Sequence, residues 1–518
     1  MKQFIPPEPI GIHAEKFGHQ YPAEVHSLIN GDLVTGAAGS WPLIYPATEE
    51  KIATVSGCSG AQVARAADIA HQTFEAGDWS AKPLEERQAI FRKVADSIDA
   101  HADELAFLQT CETGIPYAQF RTMHIARSAN NFRFFSDAAA TVSGDSYTQT
   151  GRYLSVSLQE PIGVGAIIAP WNAPLALASM KVAACMITGN SCLLKPSEQT
   201  PFSVLRMVQL MHECGVPKGA IHLINGTGQD AGAAMVANPK IGAVNFVGGT
   251  STGQKIMKAA ADGLKKISLE LGGKSANIVT SSADMDAAID GSLLGSFAGN
   301  GEQCLTGSRL LIQNDIADEF IAKFCERTAN LTVGDPFHPD VEIGPLAFES
   351  HYKHVRSFAD TAHSEGDTIL IGGDDPAPDT AGYYFSPMAV SVQDNSTRVC
   401  QIEVFGPVVS ILRFDTLDEA ISIANDSDFG LVSYIWTSDI QSMMTMTRKI
   451  QAGTVWVNTP MTRDLRAPFG GYKLSGLGRD GLSGSMELFT EQKTLMIPQD
   501  ALQLPKLGRK KETDESTS

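Results

Sequence analysis

A single cysteine, Cys304, lies in a stretch of small and polar residues, GNGEQCLTGSR at 299–309. No other cysteine is close to it, and no two of the eight in the chain have CxxC spacing, so we predict no metal site. A reactive thiol needs access, room for a substrate and nearby N–H donors, and a glycine-flanked loop can supply all three. Most cysteines only fill space in a core, so this stretch alone leaves both interpretations open.

Two further polar side chains could assist such a thiol. Glu270 interrupts the apolar run ISLEL, and a carboxylate is costly to bury without a partner. It suits a general base that activates water, although a structural ion pair would also explain it. Asn172 lies between two prolines in PWNAP, 170–174, where a fixed amide can donate to a developing oxyanion. Asparagine is also a common turn residue, so an ordinary explanation exists here too.

Three turns could bind the phosphates and ribose of a dinucleotide. GTGQDAG at 226–232 and GGTSTG at 248–253 would let backbone N–H groups approach a diphosphate at a helix N-terminus. In KPSE, 195–198, Lys195 and Glu198 could hold ribose hydroxyls. Each turn is also compatible with a plain loop, and the first lacks the acidic residue ~20 positions later that a dinucleotide fingerprint needs. The glycines concerned are Gly228, Gly248, Gly249 and Gly253.

The segments around these residues alternate between strands and helices. We predict buried strands at 162–169, 191–195, 221–225, 243–248 and 266–271. We predict helices between them at 175–188, 202–213, 230–237 and 252–261, and earlier ones at 61–76, 85–109 and 116–139. Short links in such an alternation indicate a parallel, doubly wound sheet, which binds ligands beyond the carboxyl ends of its strands. A second α/β pattern follows, with strands such as SRLLIQ, AVSVQ, VVSILRF, SYIWT and TVWVN.

Composition restricts the class of protein. The chain has 518 residues, too many for one ordinary core, and 43% are hydrophobic. Its formal charge of −18, from 58 acidic and 40 basic residues, argues against a nucleic-acid or anionic-membrane binder. The start, MKQFIPPEPIGIHAEK, has no apolar signal core, and the apolar stretch 173–189 is too short to span a bilayer. We therefore expect a cytoplasmic protein with reduced thiols.

Eight motifs in one order carry a family resemblance: PWNAP, KPSE, GGTSTG, LELGGK, GEQC, EVFGPV, TVWVN and PFGGYKLSGLGR. With them the chain resembles the aldehyde dehydrogenase superfamily from about residue 28 to about residue 498. The resemblance implies an α/β fold with a Rossmann-like parallel-sheet NAD domain, a second α/β catalytic domain and a small β oligomerisation arm. It also implies a homodimer or homotetramer.

The motifs suggest where these parts begin and end. The NAD domain would comprise 1–144, 162–273 and a return at 473–485. The catalytic domain would cover 274–472. The arm would consist of 145–161, which alternates like a hairpin, and 486–500. The last segment, 501–518, would be a tail, and its ending GRKKETDESTS is typical of disorder.

The resemblance implies NAD-dependent oxidation of an aldehyde to a carboxylic acid, with NADP less favoured. Cys304 would be the nucleophile that forms a thiohemiacetal and then a thioester. Asn172 and the backbone N–H of Cys304 would form the oxyanion hole, and Glu270 would be the general base of deacylation. Cofactor contacts would come from Lys195, Glu198, the turn glycines Gly228, Gly248, Gly249 and Gly253, and the residues of the nicotinamide end, Trp171, Glu403 and Phe405.

The cysteine loop departs from many relatives, in which it reads Asn-x-Gly-Gln-x-Cys. Gly299 stands here in place of the Asn, and Glu302 in place of the Gln. Gly249 stands where a Ser is frequent. We expect Glu302 to raise the pKa of the thiol if its side chain points inward.

Two arginines suggest the substrate. By the resemblance, Arg463 lies in a loop at the substrate entrance, Arg127 on the helix opposite, and Phe469 at the same site. Paired guanidiniums suit a carboxylate, although either arginine could merely pair with a surface acid such as Asp464. With RDLRAPFGG and NGEQC, they resemble the hydroxymuconic-semialdehyde branch of the family, from aromatic catabolism.

We therefore expect a small-molecule aldehyde that carries a carboxylate. Three alternatives stay open. They are a general aromatic or aliphatic aldehyde dehydrogenase, a coenzyme-A-acylating enzyme, and a catalytically silent binding protein on the same fold.

Overall fold

The structure is a computed structural model that describes residues 4–149 and 151–509. The strands, in chain order, are β1 (Phe4–Ile5), β2 (Glu24–Val25), β3 (Ser27–Ile29), β4 (Asp32–Val34), β5 (Ser40–Ile44), β6 (Lys51–Ser56), β7 (Ser146–Tyr147), β8 (Tyr153–Pro161), β9 (Val164–Ile168), β10 (Ser191–Lys195), β11 (Ile221–Leu223), β12 (Ala243–Val247), β13 (Lys266–Glu270), β14 (Ala276–Val279), β15 (Arg309–Gln313), β16 (Val333–Gly334), β17 (Thr368–Ile371), β18 (Met388–Ser391), β19 (Val408–Phe414), β20 (Phe429–Gly430), β21 (Val432–Trp436), β22 (Thr454–Val457), β23 (Tyr472–Lys473), β24 (Gly476–Leu477) and β25 (Thr490–Pro498).

The α-helices, in the same order, are α1 (Ile10–Phe17), α2 (Gly60–Ala76), α3 (Leu84–Ala100), α4 (Ala102–Thr113), α5 (Tyr117–Gln119), α6 (Ile125–Ala139), α7 (Pro174–Ile187), α8 (Phe202–Glu213), α9 (Ala233–Ala237), α10 (Thr250–Ala261), α11 (Met285–Phe297), α12 (Asn314–Ala329), α13 (Glu349–Glu365), α14 (Arg398–Gln401), α15 (Leu417–Asn425), α16 (Ile440–Lys449) and α17 (Leu482–Phe489). Two π-helical turns, Phe120–His124 and Gly228–Gly232, precede α6 and α9.

The first large sheet contains the five strands predicted from the sequence. Its strand order is β24-β13-β12-β9-β10-β11-β3-β4, and the strands from β13 to β11 run parallel. Every residue of β9, β10, β11 and β12 is buried, as expected for parallel strands covered on both faces by helices. The expected α/β fold with a Rossmann-like sheet is confirmed.

The strand ends of this sheet place the predicted polar residues at one edge. Glu270 is the last residue of β13, where it pairs with Val247 of β12 and with Gly476 of β24. Lys195 is the last residue of β10 and pairs with Ile168 at the end of β9. The segment that follows β9 carries Asn172, so these side chains meet beyond the carboxyl ends of the strands.

The second large sheet has the order β17-β18-β19-β15-β14-β21-β22, and only the β17–β18 pair within it is antiparallel. It contains the five strands predicted for this half of the chain. Cys304 lies in the connection between α11 and β15, where its backbone oxygen is close to Gly273, in the segment that links β13 of the first sheet to β14 of the second.

The helix predicted over 85–109 is wrong as a single helix. His101 adopts a non-helical conformation between α3 and α4, and its ring Nδ1 lies 2.8 Å from the carbonyl oxygen of Ser97. Both helices bury apolar residues in the same core, so the apolar spacing continues across the break. The helix predicted over 116–139 is interrupted by the π-helical turn Phe120–His124, and α6 begins after it.

A separate three-stranded sheet has the order β25-β8-β7. β25 pairs with β8 in antiparallel register from Thr490 opposite Pro161 to Pro498 opposite Tyr153. The residues of 486–489 belong to α17 rather than to this strand. The outer strand exposes apolar side chains, among them Met496, which is 67% exposed.

The tail predicted at 501–518 is described only in part. Residues 501–509 form neither helix nor strand, and 510–518 lie outside the described residues. Among the helices of 4–149 and 151–509, none is both long and apolar enough to cross a membrane.

Candidate active site

A cleft of about 1160 Å³ opens beyond the carboxyl ends of β9, β10, β12 and β13. Its volume is somewhat above the usual range for small-molecule sites, which is ~300–1,000 Å³. Most of the residues predicted from the sequence line it, namely Trp171, Asn172, Lys195, Glu198, Gly228, Gly248, Gly249, Glu270, Cys304, Glu403 and Phe405. Gly253 does not line the cleft, and a Cβ there would lie 2.5 Å from Cδ2 of Leu271, so this glycine lets α10 pack on the sheet.

The loop that carries Cys304 has a left-handed backbone in three consecutive residues. Gly299, Asn300 and Gly301 have φ angles of 60°, 58° and 68°. A Cβ on Gly301 would also lie 2.5 Å from the backbone of Gly406, so only glycine fits there. This tight turn presents Cys304, which is half-buried, at the floor of the cleft.

The thiol of Cys304 lies among two carboxylates and two guanidiniums. Burial, together with the nearby negative charges of Glu403 and Glu270, raises its pKa to about 12. Arg463 and Arg127 act in the opposite direction. The isolated cysteine is therefore a protonated thiol at neutral pH, and its reactivity depends on what binds beside it.

The amide of Asn172 lies against the same loop. Its Nδ2 donates a hydrogen bond to the backbone carbonyl of Glu302 at 2.8 Å. An amide nitrogen has two hydrogens, so one stays available for a ligand. Within the described part of the chain, the backbone N–H of Cys304 has no protein acceptor. Two N–H donors can thus meet beside the sulfur.

Glu270 is 5% exposed, and neither of its carboxylate oxygens has a hydrogen-bond partner among the described residues. Burial raises its pKa well above the ordinary value, and the charge of Asp480 raises it further. Lys181, Arg463 and Arg479 lower it. A buried carboxyl group with free oxygens beside a thiol can accept a proton from a water molecule.

Lys181 and Asp480 were not predicted from the sequence. They form a buried ion pair beside Glu270, with side chains 3% and 5% exposed. Asp480 Oδ2 also lies 3.5 Å from the guanidinium of Arg463. The sequence contained one indication of this ion pair. Lys181 interrupts the apolar stretch of α7, and a lysine buried there needs an acidic partner for its charge.

At one end of the cleft, Lys195 is buried and its Nζ donates to Oε1 of Glu198 at 3.3 Å and to the carbonyl of Pro196. Burial lowers the pKa of Lys195. Gly249 caps the N-terminus of α10, and a Cβ built on it would meet no atom within 4 Å. The first backbone N–H groups of α10 therefore face open space, which suits an anionic group.

At the other end, Glu403 lies over a glycine pair. Its Oε1 accepts a hydrogen bond from the N–H of Gly273 at 2.8 Å, and burial raises its pKa to about 7. The Trp171 and Phe405 rings meet edge to face at 5.2 Å. His351, also missed by the sequence analysis, contacts both rings and donates from Nε2 to the carbonyl of Phe405 at 2.8 Å.

The two predicted substrate arginines lie near each other, outside the residues that line the cleft. Their charges act on each other and on Cys304, and burial with Arg463 lowers the pKa of Arg127 to about 10. The guanidinium of Arg463 stacks on Phe469 at 4.2 Å, and its Nε and one terminal nitrogen are buried without hydrogen-bond partners in 4–149 and 151–509. Asp464 is not its partner, because both oxygens of Asp464 bind Arg466.

The condition under which Glu302 would raise the pKa of the thiol, a side chain that points inward, is not met. The side chain of Glu302 is fully buried and points away from Cys304, toward the segment before α13. There its Oε1 accepts a hydrogen bond from the N–H of Ala347 at 3.0 Å. The carboxylates that act on the thiol are Glu403 and Glu270.

Comparison with known proteins assigns the family. Residues 34–495 match the model of the aldehyde dehydrogenase family. The chain belongs to this family and is an oxidoreductase that acts on aldehydes.

Particular relatives agree with this assignment. A 5-carboxymethyl-2-hydroxymuconate semialdehyde dehydrogenase of Escherichia coli is 39% identical over 88% of this chain and 97% of its own length. A mitochondrial benzaldehyde dehydrogenase of Antirrhinum majus is 37% identical over 90% of this chain and 88% of its own. The NAD⁺ complex of an aldehyde dehydrogenase from Bacillus cereus superposes with a TM-score of 0.90 at 33% identity, over 96% of this chain and 100% of that one.

Proposed function

We propose that the protein oxidises a carboxylate-bearing semialdehyde of the hydroxymuconic type to the corresponding acid, with NAD as hydride acceptor and Cys304 as nucleophile. The observation that carries the proposal is the position of Cys304 beside Asn172, Glu270 and two guanidiniums; that of Arg463 lies 3.5 Å from Asp480, a carboxylate that also pairs with Lys181. The family assignment supports the reaction class, and the arginine pair supports the substrate class.

The cleft fits NAD on the evidence of its own groups. Lys195 and Glu198 would hold the adenosine ribose, and the open N-terminus of α10 at Gly249 would hold the diphosphate. Glu403 would hold the second ribose, with Phe405 beside the nicotinamide. NAD supplies the hydride acceptor when bound, and the protein supplies orientation and exclusion of water.

Acylation would begin when the S–H bond of Cys304 breaks as the sulfur bonds to the aldehyde carbon and the proton passes to the aldehyde oxygen, which gives a thiohemiacetal. The free N–H of Asn172 and the backbone N–H of Cys304 would stabilise the oxygen as it gains negative charge. One such donor is worth roughly 10²–10³-fold in rate. Oxidation of this adduct leaves a thioester on Cys304.

Deacylation would depend on Glu270. Its unpartnered oxygens would take a proton from water as the water attacks the thioester carbon. This releases the carboxylic acid and the thiol. The ion pair of Lys181 and Asp480 lies beside Glu270, where Asp480 raises the pKa of Glu270 and Lys181 lowers it. Because Glu270 can activate water, we favour water over coenzyme A as the acceptor of the acyl group.

The arginine pair supports an acidic substrate. Two like charges that repel each other in a buried site, as Arg463 does when it lowers the pKa of Arg127, are stabilised when an anion binds between them. Sequence identity does not choose between substrates, because the semialdehyde and benzaldehyde relatives are about equally similar. A general aromatic or aliphatic aldehyde therefore stays the second candidate.

A panel of aldehydes tests the proposal. Formation of reduced NAD is followed by absorbance with unsaturated semialdehydes that carry a carboxylate, with their methyl esters, and with benzaldehyde. We expect the highest kcat/KM for the free acids. Higher efficiency on the esters or on benzaldehyde would transfer the assignment to the second candidate.

We propose a homodimer or homotetramer, supported by the exposed apolar side chains of β8 and β25, among them Leu158, Leu495 and Met496. Light scattering coupled to size-exclusion chromatography measures the assembly. A monomer at micromolar concentration would contradict this part of the proposal.

A further inference from the structure

The cysteine loop is fixed to one neighbouring segment, 344–347, by three hydrogen bonds. Oδ1 of Asn300 accepts from the N–H of Gly344 at 2.8 Å, and its Nδ2 donates to the carbonyl of Pro345 at 3.0 Å. Oε1 of Glu302 accepts from the N–H of Ala347 at 3.0 Å. These side chains flank Gly301, so the turn is held on both sides of its tightest point.

Glu302 reaches both sides of the reaction centre, one with its backbone carbonyl and the other with its side chain. The backbone carbonyl of Glu302 holds Nδ2 of Asn172 at 2.8 Å. The side-chain Oε1 of Glu302 lies 3.4 Å from Nε2 of His351, and this Nε2 also donates a hydrogen bond to the carbonyl of Phe405. The turn thus joins the amide beside the sulfur to the aromatic wall of the cleft.

We infer that Glu302 and Asn300 are positioning residues, and that Glu302 acts as a neutral acid that sets the direction of the Asn172 amide for the oxyanion. This inference rests on the proposed function. Glu302 touches neither substrate nor sulfur and acts through Asn172.

The surroundings of Glu302 favour its neutral form. Its side chain is fully buried, and Oε2 has no partner among the described residues. The titratable group that faces Glu302 is His351. Burial lowers the pKa of His351 to about 4, and its Nε2 proton is donated to the carbonyl of Phe405. His354 lies on the far side of the His351 ring. Among the described residues no cation therefore stabilises a carboxylate here, and burial raises the pKa of Glu302 more than hydrogen bonds from Ala347 and Asn300 lower it. A protonated acid has nearly the shape of the glutamine found in many relatives.

The test compares Glu302→Gln, which keeps the shape and the acceptor, with Glu302→Asp, which keeps the acid but withdraws its oxygen from Ala347. The single-turnover burst of reduced NAD is measured for each, with NAD affinity from fluorescence quenching and with thermal melting. We expect the Gln variant to match the native burst within about twofold, and the Asp variant to lose roughly ten- to hundredfold, the range for a misplaced catalytic group. NAD affinity should change little in both.

A double-mutant cycle separates positioning from general damage. In an Asn172→Ala background, Glu302→Asp should cost less than twofold, because the amide that it orients is gone. Gln303→Ala is the matched control, since among the described residues the side chain of Gln303 donates to the carbonyl of Ala298 within the loop, and its backbone bonds to Thr306 survive the substitution. It should keep the native burst.

Three results would overturn the inference: a Gln variant as slow as the Asp variant, an Asp variant as fast as the native enzyme, or full additivity with Asn172→Ala. If the Asp variant does not fold, Asn300→Gly replaces it, because glycine keeps the left-handed turn while both Asn300 bonds are lost. A native burst in that variant would equally overturn the inference. Absence of a burst in the native enzyme would instead refute the proposed function itself.

Discussion

Replacement of Arg127 and Arg463 by methionine should change which aldehydes the enzyme prefers. Methionine keeps the length and apolar stem of the side chain and removes only the charged fork. A hydrogen bond to a charged group contributes ~1.5–3 kcal/mol. Loss of one guanidinium should therefore lower kcat/KM for a carboxylate-bearing aldehyde roughly 10- to 150-fold, chiefly through KM.

The structure predicts that the two variants differ on neutral aldehydes. Arg463 also lies 3.5 Å from Asp480 and lowers the pKa values of both Glu270 and Cys304. Arg463→Met should thus slow every substrate somewhat, and Arg127→Met should slow neutral ones less, because Arg127 acts on the pKa of Cys304 but is not among the charges that shift the pKa of Glu270. The informative quantity is the ratio of kcat/KM for each acid to kcat/KM for its methyl ester, in which the common loss cancels.

Arg466→Met is the matched control, because Arg466 lies on the same loop but binds Asp464 at the surface. Its acid-to-ester ratio should equal that of the native enzyme. The reasoning is refuted if Arg127→Met and Arg463→Met lower efficiency equally on acids and esters. It is also refuted if the native enzyme shows no preference for the acid.

Three other substitutions test the catalytic and cofactor assignments. Cys304→Ala should reduce turnover by ~10⁴-fold or more while NAD still binds, and appreciable turnover would exclude Cys304 as nucleophile. Glu270→Gln should lower steady-state turnover ~10²–10⁴-fold yet keep a burst of reduced NAD. The pKa of Glu270 is raised and only its ionised form is a base, so native turnover should rise with pH. The residual rate of Glu270→Gln should not show that rise. The same pH profile in the variant and the native enzyme would argue against this role. Glu198→Gln should raise the ratio of kcat/KM for NADP to kcat/KM for NAD roughly ten- to hundredfold, because it removes a negative charge from the site predicted for the ribose 2′-phosphate. An unchanged ratio would show that Glu198 does not bind the ribose.

The parts of the site that the sequence predicted are those that local patterns encode. Glu270 and Lys195 end buried strands, and parallel strands bring their carboxyl ends to one edge of a sheet. Asn172 and Cys304 lie in short motifs that their neighbours fix: the prolines around Asn172, and the left-handed turn before Cys304. For such residues, the neighbouring residues in the sequence were sufficient to predict the position in the site.

The parts that were missed depend on contacts between distant segments. Lys181 and Asp480 are 299 positions apart, and neither position alone indicates the other. Whether Glu302, two residues before the thiol, points inward could not be read from the sequence, because it is the left-handed turn at Gly301 that sends its side chain toward Ala347. His351 reaches the cleft only because α13 packs beside it.

The high pKa of the Cys304 thiol has a consequence for chemical damage. Peroxides oxidise the thiolate of cysteine and scarcely the thiol, so the rate of sulfenic acid formation follows the ionised fraction. Because burial raises the pKa of this thiol well above its ordinary value, that fraction at neutral pH is far below the few per cent of an ordinary free cysteine. The empty enzyme therefore keeps its most valuable sulfur in the form that oxidants attack most slowly.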